Sequence, residues 1–298
     1  MPAEISVCIV CRNEADRIGE CLDSVRWADE VLVLDLESTD GSAALAERHG
    51  ARVIVRPPVP VVEWVRNEVA AEAGHDWILA LDPDERITPG LAAELRCVAA
   101  RDDVDAVVIP RMNFDLGFPP SHPLQRYEPQ LRMYRRSRVI WPTIPNALPR
   151  VPEERLHRVA ARDELVMTHD RSRSIPEVVD RVVRYAPVQA QSMVDRGEVF
   201  TAARMLRALG GDVYKHFFRA QAYRDGVPGF LRAGILVAFQ FYVWAAFWQL
   251  SGRGRTAEDD RAMGRLGMAA EGLRRMLRAA GAPGRLLRRI RPARRGGA

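Results

Sequence analysis

Two carboxylates one residue apart, Asp82 and Asp84, close an apolar run in the stretch Trp77-Ile-Leu-Ala-Leu-Asp-Pro-Asp-Glu85. The uncharged residues Trp77 to Leu81 fit a buried strand, which puts Asp82 at a strand end. Pro83 has a ring-fixed φ and biases Asp82 toward an extended conformation, so both side chains are expected to emerge just past the sheet. Two hard oxygen donors there suit a divalent cation carrying a phosphate. With 20 Asp in 298 residues, such a triplet arises about once by chance, and a second one, Asp103-Val-Asp105, is present. The first triplet gains weight only from partners elsewhere in the chain.

Those partners come from the elements before it. Ile5–Cys11 reads as a buried strand followed by the polar loop Arg12-Asn13-Glu14 and a helix from about 15 to 26. Val31-Leu-Val-Leu-Asp35 is a second strand, with Asp40-Gly41 in the turn before a helix ending near Arg48. A third strand at Arg52–Val55, a helix near 63–73, the strand at 77–82, a helix at about 89–100 and a strand at 106–110 continue the alternation. Strands and helices in this order predict an α/β fold with a mainly parallel sheet flanked by helices. Ligands of such sheets collect at the carboxyl ends of the strands. Here these ends carry Asn13 and Glu14, Asp35 and Asp40, and Asp82 and Asp84.

Beyond Met112 the many prolines predict irregular loops shaping a second, acceptor-side binding site. From Pro176 the pattern turns helical, so residues 1–172 are expected to form the catalytic domain and 173–298 a C-terminal helical extension. Residues 230–250 hold seven of the 21 aromatics, and from Ala233 to Leu250 only Gln240 and Gln249 are polar. Such a helix is packed in a core or against a partner, lies in a membrane interface, or spans a bilayer; the sequence leaves all three open.

Charge is concentrated at the end of the chain. Nine arginines and no acid follow from Arg274, so the formal net charge of +5 leaves 5 − 9 = −4 for residues 1–273. The Arg-rich tail 274–298 suits an anionic membrane surface or is a solvated end, and nucleic acid is not an expected partner. Cys8, Cys11, Cys21 and Cys97 fit neither a disulfide framework nor a zinc pattern, and are expected to be buried and reduced. With an N-terminus lacking a basic leader pattern, this predicts a cytoplasmic protein, peripheral on the inner face of the cell membrane.

The order of these signals resembles the family-two inverting nucleotide-sugar glycosyltransferases of GT-A fold, and within them the lipopolysaccharide-core and envelope-glycan transferases. The resemblance rests on Val7–Glu14, Asp29-Glu30-Val-Leu-Val-Leu-Asp35, Ser38-Thr39-Asp40-Gly41, Arg66-Asn67 and Trp77–Glu85. Tyr127–Arg136 approximates a later family segment, and His169, Tyr185 and Asp225-Gly226 fall at subgroup positions. It implies that Glu14, Asp40 and Arg66 hold the base and ribose of a nucleotide sugar, with Asn13, Asp35 and Asn67 at the same site. Asp82 would sit at the ribose and diphosphate, and Asp84 would ligate Mg²⁺ or Mn²⁺. Charge developing on a departing diphosphate is stabilised by a fixed divalent cation, which gives the metal a physical reason.

Inversion also needs a general base. Glu128 falls on the acid of the family segment, and Glu153, Glu154 and His157 compete with it; Arg132 and His169 are candidates for the acceptor or diphosphate side. Two departures stand out. Leu36-Glu37 replaces small residues after the second strand, and Trp141-Pro-Thr-Ile-Pro-Asn146 lacks the His and Glu of the subgroup. The expected activity is hexose transfer to a lipopolysaccharide-core, envelope-glycan or lipid-linked acceptor. A protein or peptide acceptor and a non-catalytic nucleotide-sugar-binding protein are the alternatives.

Overall fold

The computed structural model describes residues 3–60, 62–122, 126–142, 148–252 and 256–279. β1 (Ile5–Cys11) is buried along its whole length between β2 (Glu30–Asp35) and β4 (Trp77–Leu81). A strand covered on both faces has no room for alternating polar residues, which is why these segments read as continuous apolar runs. β3 (Arg52–Val55) lies outside β2, and the four strands are parallel. Their connections carry α1 (Ile18–Ser24), α2 (Ser42–Arg48) and α3 (Glu63–Glu72). The register aligns Cys11 with Asp35 and Ile9 with Leu81, so the loops bearing Asn13, Asp40 and Asp82 leave from one edge of the sheet.

Successive residues feed two cores, as the period of two requires. Val7, Ile9, Trp77 and Leu79 pack with Ile18 and Leu22 of α1 and with Leu91 and Leu95 of α4 (Pro89–Ala99). Cys8, Val10, Ile78 and Ala80 pack with Val65 and Val69 of α3, Tyr134 and Trp141. Thr88 caps α4, accepting from the Leu91 N–H, with Pro89 in the first turn.

The segment after Met112 is more regular than its prolines suggest. β6 (Ala106–Asp115), β7 (Glu128–Arg135), β8 (Leu156–Arg158) and β9 (Met167–Ser172) extend the sheet, with β5 (Glu85–Ile87) at its far side. The order is β3-β2-β1-β4-β7-β6-β9-β5, with β8 pairing β6. β7 runs antiparallel to β4 and β6, and β5 antiparallel to β9, while the other described strands share the direction of β1. The result is a mixed, mainly parallel sheet flanked by helices, as expected. β7 hid from the hydrophobic pattern because its buried stretch, Leu131 to Tyr134, contains Arg132.

The described residues up to Val178, with Ala220–Arg232, form one compact unit, and the rest a second. Within the first, the Ser121 N–H donates to Asp225 at 3.2 Å, and Asp225 also pairs with Arg232. The second unit contains α6 (Ala202–Val213), α8 (Ala257–Ala279) and most of α5 (Ile175–Asp195) and α7 (Gly226–Leu250). Its core is a cluster of Ala190, Phe200, Trp244 and Phe247, with the three aromatic rings packed edge to face at centroid distances of 5.8–6.0 Å. The Arg-rich tail from residue 280 onward lies outside the described residues, as does Pro145-Asn146. Cys8, Cys11 and Cys21 are buried free thiols, but Cys97 is exposed, since it faces outward on α4 between Leu95 and Val98, which point inward.

Candidate active site

The Asp82–Glu85 turn is closed on itself. The Glu85 N–H donates to the Asp82 carbonyl at 2.9 Å, and the Asp82 N–H returns a bond to Glu85 Oε2 at 3.0 Å. Asp84 is tied to β9, its carbonyl accepting from the Asp170 N–H at 2.9 Å. Pairing of β5 with β9 sets Glu85 opposite His169, and β6 sets Asn113 opposite the same histidine. Side chains from four separate stretches of sequence therefore meet at one end of the sheet.

They form an unbroken chain of polar contacts. Asp82 accepts from Arg66 at 3.3 Å and from Arg132 at 2.6 Å. Arg132 is buried and also bonds the fully buried Glu85 at 2.5 Å, which takes Arg111 at 3.1 Å. Arg111 continues to Glu128 Oε2 at 2.6 Å, and the Asn113 Nδ2 donates to the same oxygen at 2.9 Å. Asn113 Oδ1 lies 2.6 Å from His169 Nδ1, and His169 Nε2 lies 3.2 Å from Asp84 Oδ2. Arg17 stands 3.7 Å from that oxygen and pairs with Glu177.

Electrostatics follow from the arrangement. Desolvation pushes the Asp82 carboxyl up, but Arg132 and Arg66 overcome it and hold the group well below the usual carboxylate range. Asp84 shows the same contest, with desolvation outweighed by His169 and Arg17. Glu128 is likewise lowered, by Arg111 and Asn113 against desolvation. All three are ionised at neutral pH.

The first two loops are laced together. Asn13, at φ 55°, donates its N–H to Ser38 Oγ at 2.9 Å and accepts from the Thr39 N–H at 2.8 Å. The Glu14 N–H donates to Ser42 Oγ at 2.8 Å, and Asp40 accepts from the N–H groups of Ala15 and Ser42, each at 3.0 Å. Asp35 accepts from the Ser38 N–H at 2.9 Å, and its buried Oδ1 has no partner among the described residues. Leu36 is buried, while Glu37 takes a left-handed conformation at φ 53°, an uncommon one for a side chain of its kind. The departure at Leu36-Glu37 thus serves the core and the turn.

Several expected site residues have other occupations. Asn67 spends both ends of its amide on the Trp141 backbone, at 2.7 and 3.0 Å. It thereby steadies the ring over which Arg66 stacks at 5.2 Å. Arg132 is only 5% exposed and bridges Asp82 and Glu85, so its guanidinium serves the turn and does not face an acceptor. Glu153 and Glu154 precede β8, which aligns Leu156 with Ala106, at the start of β6. Arg111 lies five residues further along, about 17 Å at strand rise. Glu153 pairs with Arg158 at 3.0 Å, and His157 lies 3.3 Å from Glu94. None of these is at the Asp82 end, which removes them as competitors to Glu128. Asp103 and Asp105 pair with Arg101 and Arg155 at 2.7 and 2.6 Å, a structural use of the second triplet.

Sequence reasoning missed Arg17, Arg111, Asn113 and Glu177 and left Glu85 without a role. The only signal for Arg111 and Asn113 was their alternate spacing after Pro110, which in a strand means a shared face. Among the described residues no three His, Cys, Asp or Glu side chains form a metal cage. The donor set nearest to one is Asp84 with His169. That is compatible with a divalent ion whose remaining ligands are phosphate oxygens and water.

Comparison with known proteins adds a family. Residues 6–151 match the model described as Glycosyl transferase family 2. An "Uncharacterized glycosyltransferase" of Rickettsia felis is 26% identical over 250 residues, covering 80% of this chain and 87% of that protein. The "Lipopolysaccharide core biosynthesis glycosyltransferase LpsC" of Rhizobium meliloti is 23% identical over 250 residues, covering 82% and 92%. Among solved structures, a mannosyltransferase from Pyrobaculum calidifontis in complex with GDP-Man and Mn²⁺ superposes with a TM-score of 0.46 at 16% identity, over 91% of this chain and 80% of that one.

Proposed function

The chain is a glycosyltransferase carrying a family 2 domain, and from that premise we propose that it moves a hexose-type sugar from a nucleoside diphosphate sugar, with inversion, to a lipopolysaccharide-core, envelope-glycan or lipid-linked acceptor. The observation that carries this is the meeting of Asp82, Asp84 and Glu128, three ionised carboxylates, at the carboxyl end of one sheet. The similarity to a lipopolysaccharide-core transferase favours the acceptor class.

In this reading Glu14, Asp35, Asp40 and Arg66 surround the base and ribose, with Arg66 held flat by Trp141. Asp82 faces the ribose and diphosphate. Asp84 holds Mg²⁺ or Mn²⁺, which when bound supplies positive charge to the leaving diphosphate. Glu128 takes the proton of the acceptor hydroxyl while the new bond from oxygen to the anomeric carbon forms and the bond from that carbon to the phosphate oxygen breaks. Arg111 and Asn113 aim the carboxylate; its lowered pKa keeps it unprotonated and makes it a weak base, so proton transfer accompanies an advanced new bond. A thermal-shift screen of UDP-, GDP-, ADP- and dTDP-sugars with Mn²⁺ tests the donor site. One of them must raise the melting temperature, and no response to any would count against the reading.

Membrane association supports access to a lipid-linked acceptor. The stretch Ala222–Leu250 is long and apolar enough to cross a bilayer, yet only 28% of its most apolar window is buried. Phe230, Phe241, Tyr242 and Trp248 of α7 are exposed. With the arginines that follow, α7 would seat the enzyme on the anionic inner face of the membrane. Flotation with anionic liposomes tests this, and failure to float would remove the membrane partner.

A further inference from the structure

The Asn113 amide bridges the two halves of the reaction site, and its orientation is dictated. Glu128 is ionised and can only accept, so the amide nitrogen must face it, at 2.9 Å, leaving Oδ1 toward His169 Nδ1 at 2.6 Å. Nδ1 therefore carries a proton and donates it. The second ring nitrogen, Nε2, is left facing Asp84 Oδ2 at 3.2 Å. A cation that takes the place of the proton between them would find Nε2 and a carboxylate oxygen side by side, as it requires of two ligands. His169 is held in this pose from both sides, since its backbone pairs with Asn113 of β6 and Glu85 of β5.

We infer that Asn113 is a positioning residue that fixes the ring of His169 with its proton on Nδ1, so that Nε2 joins Asp84 in holding the divalent cation, while the same amide aims Glu128. One side chain thereby ties the base on the acceptor side to the metal on the donor side. This rests on the proposed cation at Asp84, and the test separates the two.

Mn²⁺ affinity is measured by the electron paramagnetic resonance of free Mn²⁺, with the full chain and no nucleotide, for the wild type, Asp84→Asn, His169→Ala, Asn113→Leu and Asn113→Asp. An orienting partner of a metal-bound histidine is worth roughly 10–100-fold in affinity. Asn113→Leu, which has no acceptor, is expected to weaken Mn²⁺ at least about tenfold, whereas Asn113→Asp, which still accepts from Nδ1, stays within about threefold of wild type. The Asp variant also puts two carboxylates together, so it is expected to lower kcat despite normal metal binding. Circular dichroism confirms folding of each variant. Long-range proton–nitrogen correlation of the histidine rings, with the His169 signal assigned by its loss in His169→Ala, is expected to show the proton on Nδ1. If Asp84→Asn binds Mn²⁺ as wild type does, the metal reading fails. If Asp84→Asn loses Mn²⁺ but Asn113→Leu or His169→Ala retains it, or Nδ1 carries no proton, this inference alone is overturned.

Discussion

Replacing Glu85 by alanine should destabilise the protein more than any other single change at the site. The carboxylate is fully buried and meets Arg132 at 2.5 Å, Arg111 at 3.1 Å and the Asp82 N–H at 3.0 Å. Arg66, Arg132 and Arg111 balance Asp82, Glu85 and Glu128, so removing one acid leaves a net buried positive charge. Two ionic contacts at an effective dielectric near 20 are worth roughly 4 kcal/mol each. The recovered hydration of a glutamate offsets several kcal/mol of that, which leaves about 3–5 kcal/mol. Against a typical stability of about 5–15 kcal/mol, the melting temperature should fall by roughly 10 °C. Urea unfolding followed by circular dichroism measures the change. Glu85→Gln is expected to recover little, because its amide can face Arg132 or the Asp82 N–H correctly but not both. A loss under about 1 kcal/mol for Glu85→Ala would refute the view that this residue anchors the turn.

Glu128→Gln keeps the bonds of the carboxylate in part but cannot take a proton, and kcat is expected to fall roughly 10²–10⁴-fold with little change in donor KM; an active Glu128→Gln would move the base elsewhere. Native protein treated with a thiol reagent at pH 8 should react at Cys97 only, because burial pushes Cys8 up to about 12 and Cys11 up to about 11 and raises Cys21 as well; all four should react once unfolded. Desolvation raises Glu30, but Ser6, the Gly74 N–H and Arg52 together lower it below its usual range. Its contribution is therefore complete above the unfolded pKa and lost as pH falls through the folded one. Glu30→Gln should cost about 1–2 kcal/mol at pH 7 and progressively less below about pH 4, a trend readable from melts across pH.

The sequence disclosed the parallel half of the fold because β1, β2 and β4 are buried on both faces and carry little but apolar residues. It disclosed the acidic strand ends for the same reason, since Asp35 and Asp82 interrupt such runs abruptly. β9 left no pattern: Thr168, His169, Asp170 and Arg171 are polar, and the strand is held by its neighbours β6 and β5. Alternate spacing put Arg111 and Asn113 on one face of a strand, but their partners come from pairing with β7 and β9, which local spacing does not encode; Arg17, just before α1, reaches Asp84 and Glu177 from distant parts of the chain. Glu85 had no role in the sequence reading, because its burial follows from β5 turning back into the sheet beside β9. Asn67 was read as a ligand contact, and only the return of Trp141 beside it, 74 residues later, supplied its real partner.

The central claim is sugar transfer from a nucleotide donor driven by charge stabilisation at Asp84. Nucleoside diphosphate release in the presence of Mn²⁺ and acceptor, compared between the wild type and Asp84→Asn, tests it most directly. The account predicts metal-dependent release that drops at least about 100-fold in the variant while donor binding, followed by thermal shift, persists. Equal release from the two proteins, or none from either while both bind the donor, would contradict it.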